Sequence, residues 1–148
     1  MLGSFFCAIC KSLGWYTESY SVINSAGKIN INHMSSILLD KLDEMGDTQA
    51  DIKLPDTPCK VYDKEEVKKF LSLDETDKIP YVAEEHDCDD FAAKLFGKFA
   101  GLVWSNVHAL NWFVDTDDTL WFIEPQQDKI SQNLENWQGY DIQFFIGR

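Results

Sequence analysis

The sequence predicts an α+β fold in which a helix that begins at a cysteine packs against an antiparallel sheet. Three patterns predict it. An amphipathic helix follows residue 87, apolar strand-forming runs cover residues 107–114 and 120–124, and residues 140–146 alternate as a last strand. With 148 residues, we expect one domain that is large enough to bury its own core.

The cysteine helix has a clear start signal. Asp87 is a typical N-cap, and Asp90 stands three residues later, as in a capping box, so the helix should begin at Cys88. The helix dipole stabilises a thiolate on the first turn, which makes Cys88 a candidate nucleophile. Cys88 also lies on the apolar stripe of the helix, so a buried structural cysteine is the other interpretation.

Two further residues fit a catalytic site. His108 lies in the first strand run, and Glu124 ends the second run just before Pro125. If the intervening loop holds three residues, Val114 faces Asp118, and His108 stands opposite Glu124 on one face. A loop of two residues would put them on opposite faces. With the first register, Cys88, His108 and Glu124 form a candidate triad of nucleophile, base and orienting acid.

Three short motifs carry a family resemblance: residues 87–92 (DCDDFA), 108–111 (HALN) and 123–126 (IEPQ). In this order they resemble the papain-like cysteine protease domain at the C-terminus of a mushroom agglutinin, and more distantly bacterial transglutaminase-like cysteine proteinases. The resemblance covers roughly the second half of the chain. It implies a papain-like or transglutaminase-like fold, with Cys88 as nucleophile, His108 as base and Glu124 as its orienter.

The resemblance also implies a calcium-activated protease, and the chain departs from it in two ways. It has no sugar-binding lectin domain, and Val82 replaces the glutamine that papain-type enzymes carry six positions before the cysteine. An oxyanion hole would then need the Cys88 backbone N–H and a second donor. Gln126, Trp104 and Tyr81 are candidates for this donor or for lining the substrate site, and the sequence does not rank them.

Acidic residues surround the cysteine. Asp87, Asp89 and Asp90 offer carboxylate oxygens to a hard cation such as calcium, although the EF-hand pattern is absent and solvated carboxylates are the simpler interpretation. Carboxylates beside Cys88 raise its pKa and oppose the helix dipole. A bound cation would reverse this effect, which gives a physical reason for activation by a metal.

The composition of the chain argues against some classes of partner. The net charge of −12 disfavours binding to nucleic acid, which requires positive charge to neutralise phosphates. The apolar N-terminus is too short to span a bilayer and lacks the basic region of a signal peptide. The four cysteines need no disulfides. We therefore expect a cytoplasmic protein with a peptide or protein substrate and no membrane partner.

The remaining chain predicts accessory elements. Helices are expected over residues 34–45, ended by Gly46, and over 64–73, capped by Asp63. Residues 20–23 and 28–31 read as a hairpin, and 46–58 as a loop. This loop divides a possible accessory or dimerisation element, residues 1–50, from a catalytic body, residues 59–148, within a single domain over 1–148.

The predicted function is therefore a cysteine hydrolase, namely a peptidase, that works through a thioester acyl-enzyme. Two alternatives stay open. The same residues would serve an acyl-transferring, transglutaminase-like enzyme, or the chain is a non-catalytic interaction or assembly module, a homodimer included, that keeps a papain-like fold.

Overall fold

A computed structural model of the chain describes residues 22–47, 49–55, 58–134 and 141–148. Three α-helices lie in this part: α1 (Ile31–Met45), α2 (Lys64–Leu73) and α3 (Cys88–Lys98). Their ends follow the capping signals. The Asn30 side chain accepts from the His33 N–H, Gly46 ends α1 with φ +73°, and Asp63 accepts from two N–H groups of the first turn of α2.

The described strands form two sheets. A small antiparallel sheet pairs β1 (Gly27–Ile29) with β3 (Cys59–Val61). The main sheet has six strands in the order β2-β8-β4-β5-β6-β7. Their bounds are β2 (Asp51–Lys53), β4 (Gly101–Ser105), β5 (Ala109–Val114), β6 (Leu120–Glu124), β7 (Lys129–Ser131) and β8 (Ile142–Ile146). The edge strand β2 runs parallel to β8, and the other pairs are antiparallel.

Helices cover both faces of the main sheet. On one face, Met34, Leu38 and Leu42 of α1 pack in a core with alternate residues of the strands. On the other face, α2 and α3 form a second core with Phe113 and Ile123. All six residues of β5 are buried, as expected for a central strand with helices on both faces.

The α+β class is confirmed, but the sheet is mixed rather than antiparallel, because β2 joins it in parallel. Residues 51–53 were expected to be loop, and this expectation is wrong. A three-residue strand carries too short a pattern to be recognised without its partner β8. The predicted last strand is confirmed over Ile142–Ile146, while residue 140 lies outside the described residues.

The predicted hairpin over residues 20–31 is wrong within its described part. Residues 22–25 form no strand, and β1 pairs with β3 instead; residues 20 and 21 lie outside the described residues. The proposed division between residues 1–50 and 59–148 stays a prediction. Within the described ranges, every helix is too short or too polar to cross a bilayer.

Candidate functional site

Helix α3 places Cys88 beside the first residue of the central strand β5. The helix begins at Cys88 with Asp87 as N-cap and Asp90 completing the capping box. Buried Asn111 of β5 fixes the helix to the sheet, since its side-chain amide donates to the Ala92 carbonyl at 2.9 Å and to the Gly101 carbonyl at 3.0 Å. The first turn of α3 is thereby held beside the start of β5.

A tight turn between β4 and β5 positions His108. The Ser105 hydroxyl oxygen accepts from the His108 N–H at 2.9 Å and from the Val107 N–H at 3.3 Å. The His108 carbonyl in turn accepts from the Ser105 N–H at 2.8 Å. These bonds fix the backbone of His108 immediately before β5.

The structure joins His108 to Glu124. His108 Nε2 lies 2.7 Å from Glu124 Oε2, and both side chains are about one-fifth exposed. The other carboxylate oxygen, Oε1, accepts from the Gln126 N–H at 3.3 Å. The carboxylate is thus held on both oxygens, and it orients the imidazole ring.

The strand register that brings this pair together differs from the predicted one. Val114 pairs with Leu120, not with Asp118. The turn holds three residues, as expected, but lies one position later, because Asp115 donates to the Thr119 carbonyl and Asp118 adopts φ +65°. This moves the pairing by two positions, and an even shift leaves every side chain on its face.

Cys88 meets the same strand one residue after His108. The Ala109 N–H interacts with the Cys88 sulfur and by itself would lower the thiol pKa. Burial has the largest effect, however, and it raises the pKa of Cys88, as do the nearby charges of Asp87 and Asp89. The net pKa is above the ordinary thiol value, which is opposite to the shift expected from the helix dipole alone.

The three predicted lining residues occupy different surroundings. Gln126 follows Glu124 and is half-buried. The described ring contact of Trp104 is with Phe144 on β8, at 5.8 Å between centroids. Tyr81 is 58% exposed in the loop before α3.

No sequence pattern singles out two exposed residues near the site, one in the loop before α3 and one in the β4–β5 turn. Val82 and Val107 are large apolar side chains, yet they are 44% and 58% exposed. Val82 forms a backbone bridge with His86, whose ring packs on Phe91 of α3 at 4.5 Å between centroids. Only their exposure marks them as contact residues, and it depends on the tertiary fold.

The acidic group at the start of α3 consists of Asp87, Cys88 and Asp89, whose candidate ligand atoms all lie within 4.8 Å of one another. Asp90 Oδ2 instead accepts a hydrogen bond from the Asp87 N–H at 3.3 Å. The side chains of Asp87 and Asp89 share a hydrogen bond, which lowers the pKa of Asp87 and raises that of Asp89. One buried oxygen of Asp87, Oδ1, has no partner among the described residues.

These ligands alone do not complete a calcium site. Calcium takes six to eight oxygens, whereas the group offers two carboxylates and a sulfur atom. A thiolate is a ligand for softer ions such as zinc. The predicted ligands Asp87, Asp89 and Asp90 therefore stay a prediction, and calcium would need further oxygens beside them.

The chain was compared with known proteins. No protein-family model and no curated protein matches it. Its fold is similar to that of the solved PSL1a–E64 complex, with a TM-score of 0.67 and 22% identity over 80% of this chain and 50% of the other. It is also similar to Polyporus squamosus lectin bound to a human-type influenza-binding epitope, Neu5Aca2-6Galb1-4GlcNAc, with a TM-score of 0.61 and 23% identity over 78% of this chain and 48% of the other.

The chain spans about half the length of these solved chains, and at this identity the likeness establishes the fold alone. It corrects the expected family and function. The second chain is a lectin bound to a sugar epitope, and neither description names a peptidase or another hydrolase. The predictions of a papain-like cysteine protease, of a hydrolase and of an enzyme are therefore not supported, and what this chain shares with the two solved chains is the fold of about half of each.

Proposed function

We propose that the chain is a non-catalytic interaction module that binds a partner at the surface around Cys88, His108 and Glu124. The exposed apolar side chains beside Cys88, those of Tyr81, Val82 and Val107, carry this proposal. Burial and the carboxylates of Asp87 and Asp89 raise the pKa of Cys88, which agrees with a thiol that serves as a small, polarizable contact group.

The surroundings of Cys88 support a binding surface. Tyr81, Val82 and Val107 expose apolar side chains on the two segments that approach Cys88, the loop before α3 and the turn before β5. The half-buried His108–Glu124 pair supplies polar groups in fixed positions. Exposed apolar side chains beside convergent polar groups are typical of protein interaction sites.

Charge indicates the class of partner. Glu84, Glu85, Asp87, Asp89 and Asp90 surround the site in a chain of net charge −12. This field attracts cations and repels anions. The proposed partner is accordingly a polypeptide that presents basic and apolar side chains, and Gln126, Trp104 and Tyr81 are proposed contact residues.

Binding of labelled basic peptides, measured by fluorescence anisotropy, tests this proposal. Val107→Ser should weaken binding about tenfold, the effect of a contact worth about 1.4 kcal/mol. Leu73→Ser is a matched control, because Leu73 is 57% exposed at the far end of α2. Binding should also weaken with added salt.

Analysis of the peptides after incubation tests whether the chain cleaves them. Mass spectrometry should recover every peptide intact. Cleavage that disappears in Cys88→Ala would overturn the non-catalytic assignment, and equal affinity of Val107→Ser and Leu73→Ser would overturn the assigned surface.

Three further predictions accompany this proposal: binding of calcium, dimerisation through residues 1–50, and a cytoplasmic location. Thermal unfolding in calcium and in chelator checks the first. Bound calcium should raise the unfolding midpoint, and equal midpoints in the two conditions would contradict it. Sedimentation of the chain with and without residues 1–50 checks the second, and imaging of the tagged chain checks the third.

A further inference from the structure

A polar groove lies between helix α1 and the β5–β6 turn, on the α1 side of the main sheet. Its helix wall presents residues at helical spacing, from His33 through Ser36, Ile37, Asp40 and Lys41 to Glu44. The facing wall comes from the β5–β6 turn and from the segment after β7. The groove encloses about 530 Å³, which falls within the range of small-molecule sites, roughly 300–1,000 Å³.

A polar contact joins the two walls of the groove. His33 Nε2 lies 3.0 Å from Asp118 Oδ2, which connects α1 to the β5–β6 turn. Both side chains are about half exposed. Asp118 is held in place by the left-handed turn, with φ +65°.

Lys41 lies at the base of the groove with only 9% of its surface exposed. Its ammonium donates to Glu44 Oε2 at 2.9 Å, and Glu44 is its partner among the described residues. An ammonium has three N–H donors. Two donors therefore remain for a molecule in the groove, where water is displaced and their hydrogen bonds gain strength.

The charges of the lining exclude an anionic ligand. Asp40, Glu44 and Asp118 place three carboxylates around Lys41. A phosphate or a sialic acid carboxylate would meet net repulsion from these groups. The described lining contains no Phe, Tyr or Trp side chain, so it lacks a large flat ring for stacking of a nucleobase.

The remaining groups suit hydroxyls. Ser36 and Thr119 offer hydroxyl groups and Gln132 and Asn133 offer amides, all of which both donate and accept. The carboxylates accept from pairs of neighbouring hydroxyls, and Lys41 donates to hydroxyl oxygens. Ile37 and Leu120 add a small apolar surface for the C–H face of a ring.

We propose that this groove binds a neutral, hydroxyl-rich ligand, namely a short uncharged oligosaccharide. This is a second site, separate from the Cys88 surface, and it does not depend on the function proposed there. It also differs from binding of a sialylated epitope, because the carboxylates of the groove oppose a negative charge.

A panel of immobilised neutral oligosaccharides and their sialylated counterparts tests the proposal, with the whole chain as the analyte. Binding to at least one neutral member should exceed binding to its sialylated form. Asp40→Asn should then weaken that binding by roughly ten- to a hundredfold, the effect of a lost hydrogen bond to a charged group. Asp43→Asn is the matched control, because Asp43 is an exposed residue of α1 outside the groove lining, and it should bind as the parent does.

Three results would overturn the assignment. They are no binding of any neutral oligosaccharide at millimolar concentration, equal loss in Asp40→Asn and Asp43→Asn, and displacement of the sugar by spermine, which would indicate a polyamine site. His108→Ala should leave sugar binding unchanged, so failure here is distinguishable from failure of the Cys88 proposal.

Discussion

The two ends of helix α3 differ in whether their charged side chains have partners of opposite charge. At the C-terminal end, Lys98 pairs with buried Asp74 and also donates to the Thr76 hydroxyl at 3.1 Å. Burial alone would raise the pKa of Asp74, but the hydrogen bonds from Lys98 and Thr76 lower it further than burial raises it. This end stabilises the fold.

At the N-terminal end, the carboxylates of Asp87 and Asp89 lie beside Cys88 and raise its pKa. A buried oxygen of Asp87 has no partner among the described residues. Unfavourable contacts that persist in a folded protein are most common at functional sites. The C-terminal end of α3 is thus structural, and recognition at its N-terminal end is the role that we propose.

Lys98→Met is the largest expected change. It leaves the buried Asp74 carboxylate without its cation, and we expect the free energy of unfolding at pH 7 to fall by about 2–3 kcal/mol, with allowance for the exposure of Lys98. Urea denaturation measures it. Lys94→Met makes the same substitution at an exposed position of α3 and should cost less than about 0.5 kcal/mol. Equal costs would contradict the structural role of this end.

The pH dependence of stability in Asp128→Asn tests the C-terminal end of α3, because the charge of Asp74 acts on the Asp128 carboxyl group. Burial raises the pKa of Asp128 to about 6, and the charges of Asp77 and Asp74 raise it too. A carboxyl group whose pKa is higher in the folded than in the unfolded state stabilises the fold at low pH. This stabilisation is lost as the pH rises through about 6. Asparagine tolerates the left-handed backbone, with φ +53°. We therefore expect the variant to be more stable than the parent at pH 7 by on the order of 1 kcal/mol, with a discount for solvent screening, and equally stable near pH 4.

Thermal unfolding at both pH values measures this difference. Asp43→Asn, on an exposed face of α1, controls for the general effect of removing a negative charge. A stabilisation of Asp128→Asn that is the same at both pH values would contradict the assignment, because it could not arise from titration of this carboxyl.

Asp89→Asn is the smallest expected change, and it acts at the N-terminal end. Removing this charge should lower the pKa of Cys88 and raise its alkylation rate at pH 8 about twofold. Glu85→Gln removes an equal charge from the preceding loop and should have less effect. If both variants label at the parental rate, the local carboxylates do not control the thiol.

Much of the fold follows from local sequence signals. Asp63, Asp87 and Gly46 mark helix ends as predicted, because caps act within one turn of the chain. The start of α1 at Ile31, three residues before the predicted start, was not predicted. The β5–β6 hairpin follows from its two apolar runs. The predicted strand over residues 28–31 overlaps β1, but its pairing with β3 was not predicted, and neither was β2, because their partners lie far along the chain.

The site was predictable only in part. Alternation put His108 and Glu124 on one face, and their contact is present at 2.7 Å, but their assigned roles remain untested. The protonation state of Cys88 depends on burial and on neighbouring charges, which a helix start signal does not contain. The polar groove depends on the approach of α1 to the β5–β6 turn, a tertiary contact that no local pattern of the sequence indicates.

The most direct test of the central claim is the rate of Cys88 alkylation by iodoacetamide against pH, in the parent chain and in His108→Ala. Peptide mass mapping assigns the label to Cys88, Cys88→Ser supplies the background, and E64, the compound in the first complex above, is a second probe. The account predicts slow labelling at neutral pH, an apparent pKa above the ordinary thiol value, the same profile in His108→Ala, and no adduct with E64. Fast labelling near pH 7 that collapses in His108→Ala, or a stoichiometric E64 adduct on Cys88, would contradict the account and establish an activated thiolate.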